Sequence, residues 1–169
     1  SVIEAWPDGE QRRTECLLLD NHLAQMHLAA GRLDDAAEVL AREDGGVADR
    51  FRGRRLALRL RWCRLQGRTD AALIRELKAV AEAVASPFNR MLMELELLRQ
   101  APPDQALAEA RALADLPAAM QRPGLRLHAL AVAAAAARSA RQDTLAVVLA
   151  RQARDLAGHC APFDLGAAD

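Results

Sequence analysis

The stretch from Arg50 to Arg68 carries two apolar stripes where a surface helix would carry one. With successive residues placed 100° apart, Phe51, Leu58, Trp62 and Leu65 fall on one stripe. Leu56, Leu60 and Cys63 fall on a second. Between them run two arginine ridges, Arg50, Arg54, Arg61, Arg64 and Arg68 on one side and Arg52, Arg55 and Arg59 on the other. A helix on the surface of a domain needs only a single apolar stripe. Two stripes predict a helix packed on both sides, the first helix of an internal hairpin.

The breaks in the pattern recur. Gly31-Arg32-Leu33-Asp34-Asp35-Ala36 separates a long periodic segment from a shorter one. Glycine ends the first helix, and Asp34 offers an oxygen near the start of the second. The break returns at Gly67-Arg68-Thr69-Asp70-Ala71-Ala72, where Thr69 or Asp70 can cap. It returns at Ala101-Pro102-Pro103-Asp104, where proline at the first helical position replaces the glycine stop. It returns last at Arg141-Gln142-Asp143-Thr144. The small residues after these turns, Ala36, Ala72, Ala106 and Ala146, are 36, 34 and 40 apart.

Four hairpins follow, over about 10–43, 48–85, 87–116 and 121–157. The first helices are predicted over Glu10–Ala30, Ala48–Gln66, Pro87–Gln100 and Leu125–Ala140. The second helices are predicted over Leu33–Glu43, Asp70–Ala85, Pro103–Leu116 and Thr144–Ala157. Gly45-Gly46, Ser86-Pro87 and Pro117 to Gly124 separate the units. Residues 1–9 read as a leader or the end of a preceding element, 10–158 as one domain, and 159–169 as a loose tail.

Composition agrees with helices throughout. Just over half of the 169 residues are apolar, and Ala, Leu and Arg dominate. Tyr is absent and the aromatics are few, so most of the usual strand formers are missing. The 23 Lys and Arg balance 23 Asp and Glu, and nothing global demands a nucleic acid or an anionic membrane. Cys16, Cys63 and Cys160 are odd in number and widely spaced, which points to a reducing, cytoplasmic setting. Leu127 to Ala137 is too short and too rich in alanine to span a bilayer, and reads as a buried helix. No secretory signal opens the chain. The start at Ser1 is expected of a piece of a longer protein.

Leu23, Ala24, Gly31, Ala36 and Leu40 in the first unit, and Leu56, Leu60, Gly67 and Ala72 in the second, resemble the tetratricopeptide repeat pattern. The fourth unit supplies Leu130, Ala134, Ala137 and Ala146, the third only Ala106 and Ala110. The family's large aromatic near the start of each repeat is here Asp20, Leu56, Arg90 or Leu130. Arrays of this composition are similar to those in large bacterial signalling ATPases and transcription activators. The resemblance implies an all-α, right-handed solenoid whose first helices line a concave wall.

Carried over position by position, the family's groove gives Leu18, Asn21, Gln25 and Leu28 in the first repeat. It gives Arg54, Ala57, Arg61 and Arg64 in the second, and Phe88, Met91, Leu95 and Leu98 in the third, with Arg99 beside them. In the fourth it gives His128, Ala131, Ala135 and Arg138. Asn21, Gln25, Arg54, Arg61, Arg64, Met91, Leu95, Arg99, His128 and Arg138 are the candidate partner-binding residues. Such a groove suits a peptide or helix bearing carboxylates and apolar anchors.

Two readings of the arginine run stand side by side. It is a wall for carboxylate or phosphate, or a solvated face partly neutralised by Asp34, Asp35 and Glu38. Nucleic acid needs a broader basic footprint than one helix in a neutral chain. His22 and His27, five apart, sit on different helix faces, so no metal is expected. Cys63 and Trp62 are read as core. No P-loop, glycine-rich dinucleotide turn, HExxH or nucleophile elbow occurs, so no catalysis and no cofactor are expected. The function expected is partner binding, with self-association and small-ligand sensing as alternatives.

Overall fold

The structure, a computed structural model, describes residues 9–42 and 49–160. The readings of residues 1–8 as a leader, of Gly45-Gly46 as a linker and of 161–169 as a tail lie outside the described residues.

Among the described residues all regular structure is helical. The helices are α1 (Gly9–Ala29), α2 (Leu33–Ala41), α3 (Asp49–Leu65), α4 (Ala71–Ala83), α5 (Pro87–Leu98), α6 (Pro103–Ala114), α7 (Pro117–Met120), α8 (Pro123–Ser139) and α9 (Asp143–Ala157). Eight match the expected segments to within a few residues. The four-residue α7 was not expected, and it fills half of the stretch read as a linker. None of the described helices is long and apolar enough to cross a membrane.

Three of the four recurring breaks close in the same way. The Arg32 amide donates to the His27 carbonyl at 2.9 Å, Arg68 to Cys63 at 2.9 Å, and Gln142 to Ala137 at 2.9 Å. Inside each, Gly31 donates to Leu28, Gly67 to Arg64 and Arg141 to Arg138. This nested pair satisfies helix-end carbonyls and puts its middle residue in the left-handed region. Gly31 and Gly67 sit there at φ 70° and 67°, and Arg141 at φ 58°. The turn after α5 cannot close this way, because Pro102 has no N–H to give the Leu97 carbonyl.

The helix starts use different devices. Asp70, not Thr69, caps α4, accepting from the amides of Ala72 and Leu73, both at 3.0 Å. Ser86 caps α5, and Pro87 and Pro103 take first positions in α5 and α6. At α2 the expectation for Asp34 is corrected. Arg32 is the cap residue and makes no side-chain capping bond, while Asp34 lies inside the first turn. There its charge favours the helix dipole without satisfying an amide.

Three sets of consecutive helices pack closely as pairs, α1 with α2, α3 with α4 and α8 with α9, whereas α5 packs more on α3 and α4 than on α6, and α6 packs mostly on α8. Each substantial contact between pairs joins neighbours along the chain. The two stripes of α3 serve two different cores. Leu58 and Trp62 pack with Ala24, Leu28, Ala36 and Leu40 of α1 and α2, and Trp62 also touches the second core. Leu56, Leu60 and Cys63 pack with Leu73, Leu77 and Val80 of α4 and with Met93 of α5. Leu65, expected on the first stripe, is 41% exposed at the end of the helix. Gly53 lies under Met93, where a Cβ would overlap the Met93 sulfur and methyl. In α8, Ala129, Ala133 and Ala137 are fully buried, and such small side chains allow the close approach of α6 and α9.

One arginine ridge of α3 is structural. Arg55 is fully buried and donates to the carbonyls of Val39 at 2.6 Å and Arg42 at 2.7 Å. Arg59 donates twice to the Leu40 carbonyl, at 3.1 and 2.9 Å. These carbonyls lie at the C-terminal end of α2, where backbone donors run short and the negative end of the helix dipole sits. Among the described residues, Val39 otherwise accepts only a long bond of 3.4 Å from the Arg42 amide. Arg52 pairs instead with Glu76 of α4. For Arg55 neither earlier reading holds, since it faces neither solvent nor a partner.

Candidate functional site

Two members of the other arginine ridge, Arg54 and Arg61, face a cavity. α1 contributes His22 and Gln25 to its wall, and α3 contributes Arg54, Ala57, Leu58 and Arg61. α5 contributes Phe88, Leu92, Leu95, Glu96 and Arg99, and α8 contributes Gly124, Leu125 and His128. Its volume is about 280 Å³. The first helix of every pair reaches it, and none of the second helices α2, α4, α6 and α9 does. The period explains the α3 wall, because Arg54, Leu58 and Arg61 stand four and three residues apart, on one face of a helix.

The polar groups fall into two sets. At one, Arg54 donates through Nη2 to Gln25 Oε1 at 2.8 Å. Burial lowers the Arg54 pKa, the sign of a cation held in a dehydrated wall. At the other, Glu96 meets Arg64 Nε at 3.4 Å and Arg99 Nε at 3.6 Å. The Glu96 side chain is 12% exposed. Burial raises its pKa, and the charges of Arg99, Arg64 and Arg61 pull it back down. Counting the charged groups of the wall, Arg54, Arg61 and Arg99 exceed Glu96 by two positive charges. Leu58, Leu92, Leu95, Leu125 and the Phe88 ring supply apolar surface beside them. Arg122 lies over that ring at 4.3 Å.

The expected groove residues divide. Gln25, Arg54, Arg61, Leu95, Arg99 and His128 line the cavity. Arg64 lines an adjoining cleft of about 150 Å³ that shares Arg99 and runs along Ala135 and Ser139 of α8. Three placements are corrected. Asn21 is fully buried and donates to the Phe51 carbonyl at 3.4 Å. Met91 is 2% exposed, in the core formed with α6 and α8. Arg138 is exposed near the end of α8 and lines neither cavity nor cleft.

The first two corrections share a cause. His22 stands at the wall where Asn21 was expected, and Leu92 where Met91 was. One residue is a 100° rotation of a helix, which exchanges a wall position for a core one. Moving the four expected α5 positions on by one residue gives Asn89, Leu92, Glu96 and Arg99, of which Leu92, Glu96 and Arg99 line the cavity beside Phe88 and Leu95 of the original set. Glu96 was missed by that one-residue slip. Gly124 was missed because α8 starts two residues earlier than expected, and Leu125 because the carried-over groove positions begin at His128.

A second depression, about 680 Å³, lies across α4, α5 and α6 and carries Glu82, Glu94 and Glu109 against Lys78. Burial raises the Glu94 pKa, Arg90 opposes and Glu109 adds to the rise. Among the described residues no three His, Cys, Asp or Glu side chains gather as a metal site would require. No family model, no curated protein and no solved structure matches this chain.

Proposed function

We propose that the chain is a tetratricopeptide-like solenoid that binds a segment of a partner protein in its concave groove. On this reading it catalyses nothing itself and serves a larger regulatory protein. The observation that carries the proposal is the cavity wall. All four first helices and no second helix contribute to it, as in a groove on the inner side of stacked hairpins. Contacts restricted to neighbouring pairs support the same reading. The excess of two positive charges beside leucine side chains supports a partner with carboxylates and apolar anchors. The cysteines of the described residues are free thiols, in keeping with a reducing cytoplasm.

The test is selection of binders from a random peptide library displayed on phage. Peptides should be enriched on the wild-type chain and lost on the Arg54→Glu/Arg61→Glu variant, with helicity by circular dichroism retained. Peptides held equally by the variant would sink the groove.

Self-association is a second reading, favoured by one observation. Leu19 and Met26 on α1, and Val147 and Val148 on α9, are exposed at the two ends of the helix array. Solenoid ends need polar caps. Sedimentation that shows only monomer at high concentration excludes it.

A further inference from the structure

The cavity has a spacing as well as a charge. Arg54, Leu58 and Arg61 form one row along α3, and all three line it. At 1.5 Å rise per residue, the seven residues from Arg54 to Arg61 cover about 10.5 Å. Arg99 of α5 lies at the Arg61 end, since both act on the Glu96 carboxylate and Arg54 does not. The wall therefore presents a cation, an apolar stretch about one helical turn on, and a pair of cations one turn further. Leu92 and Leu95 of α5 broaden the apolar middle. Glu96 offsets part of the charge at the far end, so both ends are left positive.

We propose that this wall recognises an amphipathic partner helix with two carboxylates seven residues apart and a large apolar side chain between them. The inference rests on the groove reading above and adds its specificity. A helix laid along α3 repeats the same 10.5 Å period, so both carboxylates meet arginine when the apolar residue meets Leu58. The cavity's 280 Å³ lies just below the range of about 300–1,000 Å³ typical of small-molecule sites. That size suits a few side chains of a larger ligand. Arginine forks match carboxylates in pairs, and a dehydrated wall strengthens each pairing.

The experiment uses labelled, helix-stabilised peptides and fluorescence anisotropy with the full chain. One peptide has two glutamates seven apart around a leucine pair, and another has the same composition with the glutamates four apart. A third has glutamine at both acidic positions, and a fourth is an extended, proline-flanked peptide with glutamates three apart, a similar span. The first should bind at least about fivefold more tightly than each of the others. In double-mutant cycles, Arg54→Gln should couple to one glutamate and Arg99→Gln to the other. Equal binding at both helical spacings, with both lost on Arg54→Glu/Arg61→Glu, overturns the spacing and leaves the groove standing. Tightest binding of the extended peptide overturns the helix. Failure of all four peptides, while library-selected peptides still bind, overturns the inference alone. Failure of the library as well overturns the groove reading too.

Discussion

Replacing Arg55 with methionine keeps most of the side-chain volume and removes every donor. The Val39 and Arg42 carbonyls then lose hydrogen bonds of 2.6 and 2.7 Å, and Asn21 loses a longer contact of 3.4 Å. A hydrogen bond involving a charged group contributes about 1.5–3 kcal/mol net, so the two short ones total about 3–6 kcal/mol. These net values already include the cost of taking the guanidinium out of water, so the expected loss is about 3–6 kcal/mol. At about 2–4 °C per kcal/mol for a chain of this size, Tm should fall by about 6–24 °C. Arg55→Lys should fall between, because one ammonium cannot fork to both carbonyls in the same geometry. Arg52→Met is the control. It removes a pair with Glu76 whose side chains are 43% and 44% exposed, and such pairs contribute about 0–1 kcal/mol. The assay is thermal and urea unfolding followed by circular dichroism. A Tm for Arg55→Met equal to that of the wild type would refute the assignment of Arg55 as the cap of α2.

Three other substitutions test separate parts of the structure. Because the folded-state pKa of Glu96 is raised, its charged form opposes folding. That penalty is absent below the unfolded value of about 4.3 and grows as pH rises through the folded value. Glu96→Gln should therefore raise Tm at pH 8 and lose the advantage towards pH 4, and a gain independent of pH would assign the effect elsewhere. Gly53→Ala should lose up to about 2 kcal/mol in urea unfolding, since overpacking against Met93 and Val80 costs about 1–3 kcal/mol and the gain in helix propensity offsets about 1. Adding Met93→Ala should recover part of that loss, and a stabilised Gly53→Ala would show that Met93 moves aside freely. Arg141→Gly should gain about 0.5–1 kcal/mol, the left-handed cost of an L residue less the entropy of glycine. Arg141→Ala should show no gain, and equal effects of the two would place the cause outside the backbone.

The α5–α6 segment departs furthest from the expected pattern, for reasons visible in its residues. Pro102 and Pro103 replace the glycine turn that marks the first two breaks, so the α5–α6 connection closes without the nested bonds seen elsewhere. With no glycine to anchor the alignment, a register one residue off placed Met91 at the wall. The fourth turn shows the opposite case. Arg141 takes the left-handed place of Gly31 and Gly67, so the turn survives without its marker. There Ala146 carried the register, five residues on, as Ala36 and Ala72 do.

Where the helices begin and end was legible because those choices are local. An amide bonds a carbonyl a few residues away, and Asp70 or Pro103 acts within one turn. The split of the α3 arginines into two ridges was legible too, since it follows from 100° per residue. What each ridge meets was not. Arg55 and Arg59 reach the end of α2, Arg64 finds Glu96, and Arg54 and Arg61 line a cavity closed by α1, α5 and α8. These destinations depend on how far each helix is rotated about its axis when the pairs pack. A rotation of one residue exchanges Asn21 for His22 without altering the helix itself. The sequence by itself determined the helices and the periodic order of their faces, because both arise from contacts within one or two turns. Only the tertiary structure decided which arginines are caps and which form a wall, because that choice rests on partners tens of residues away.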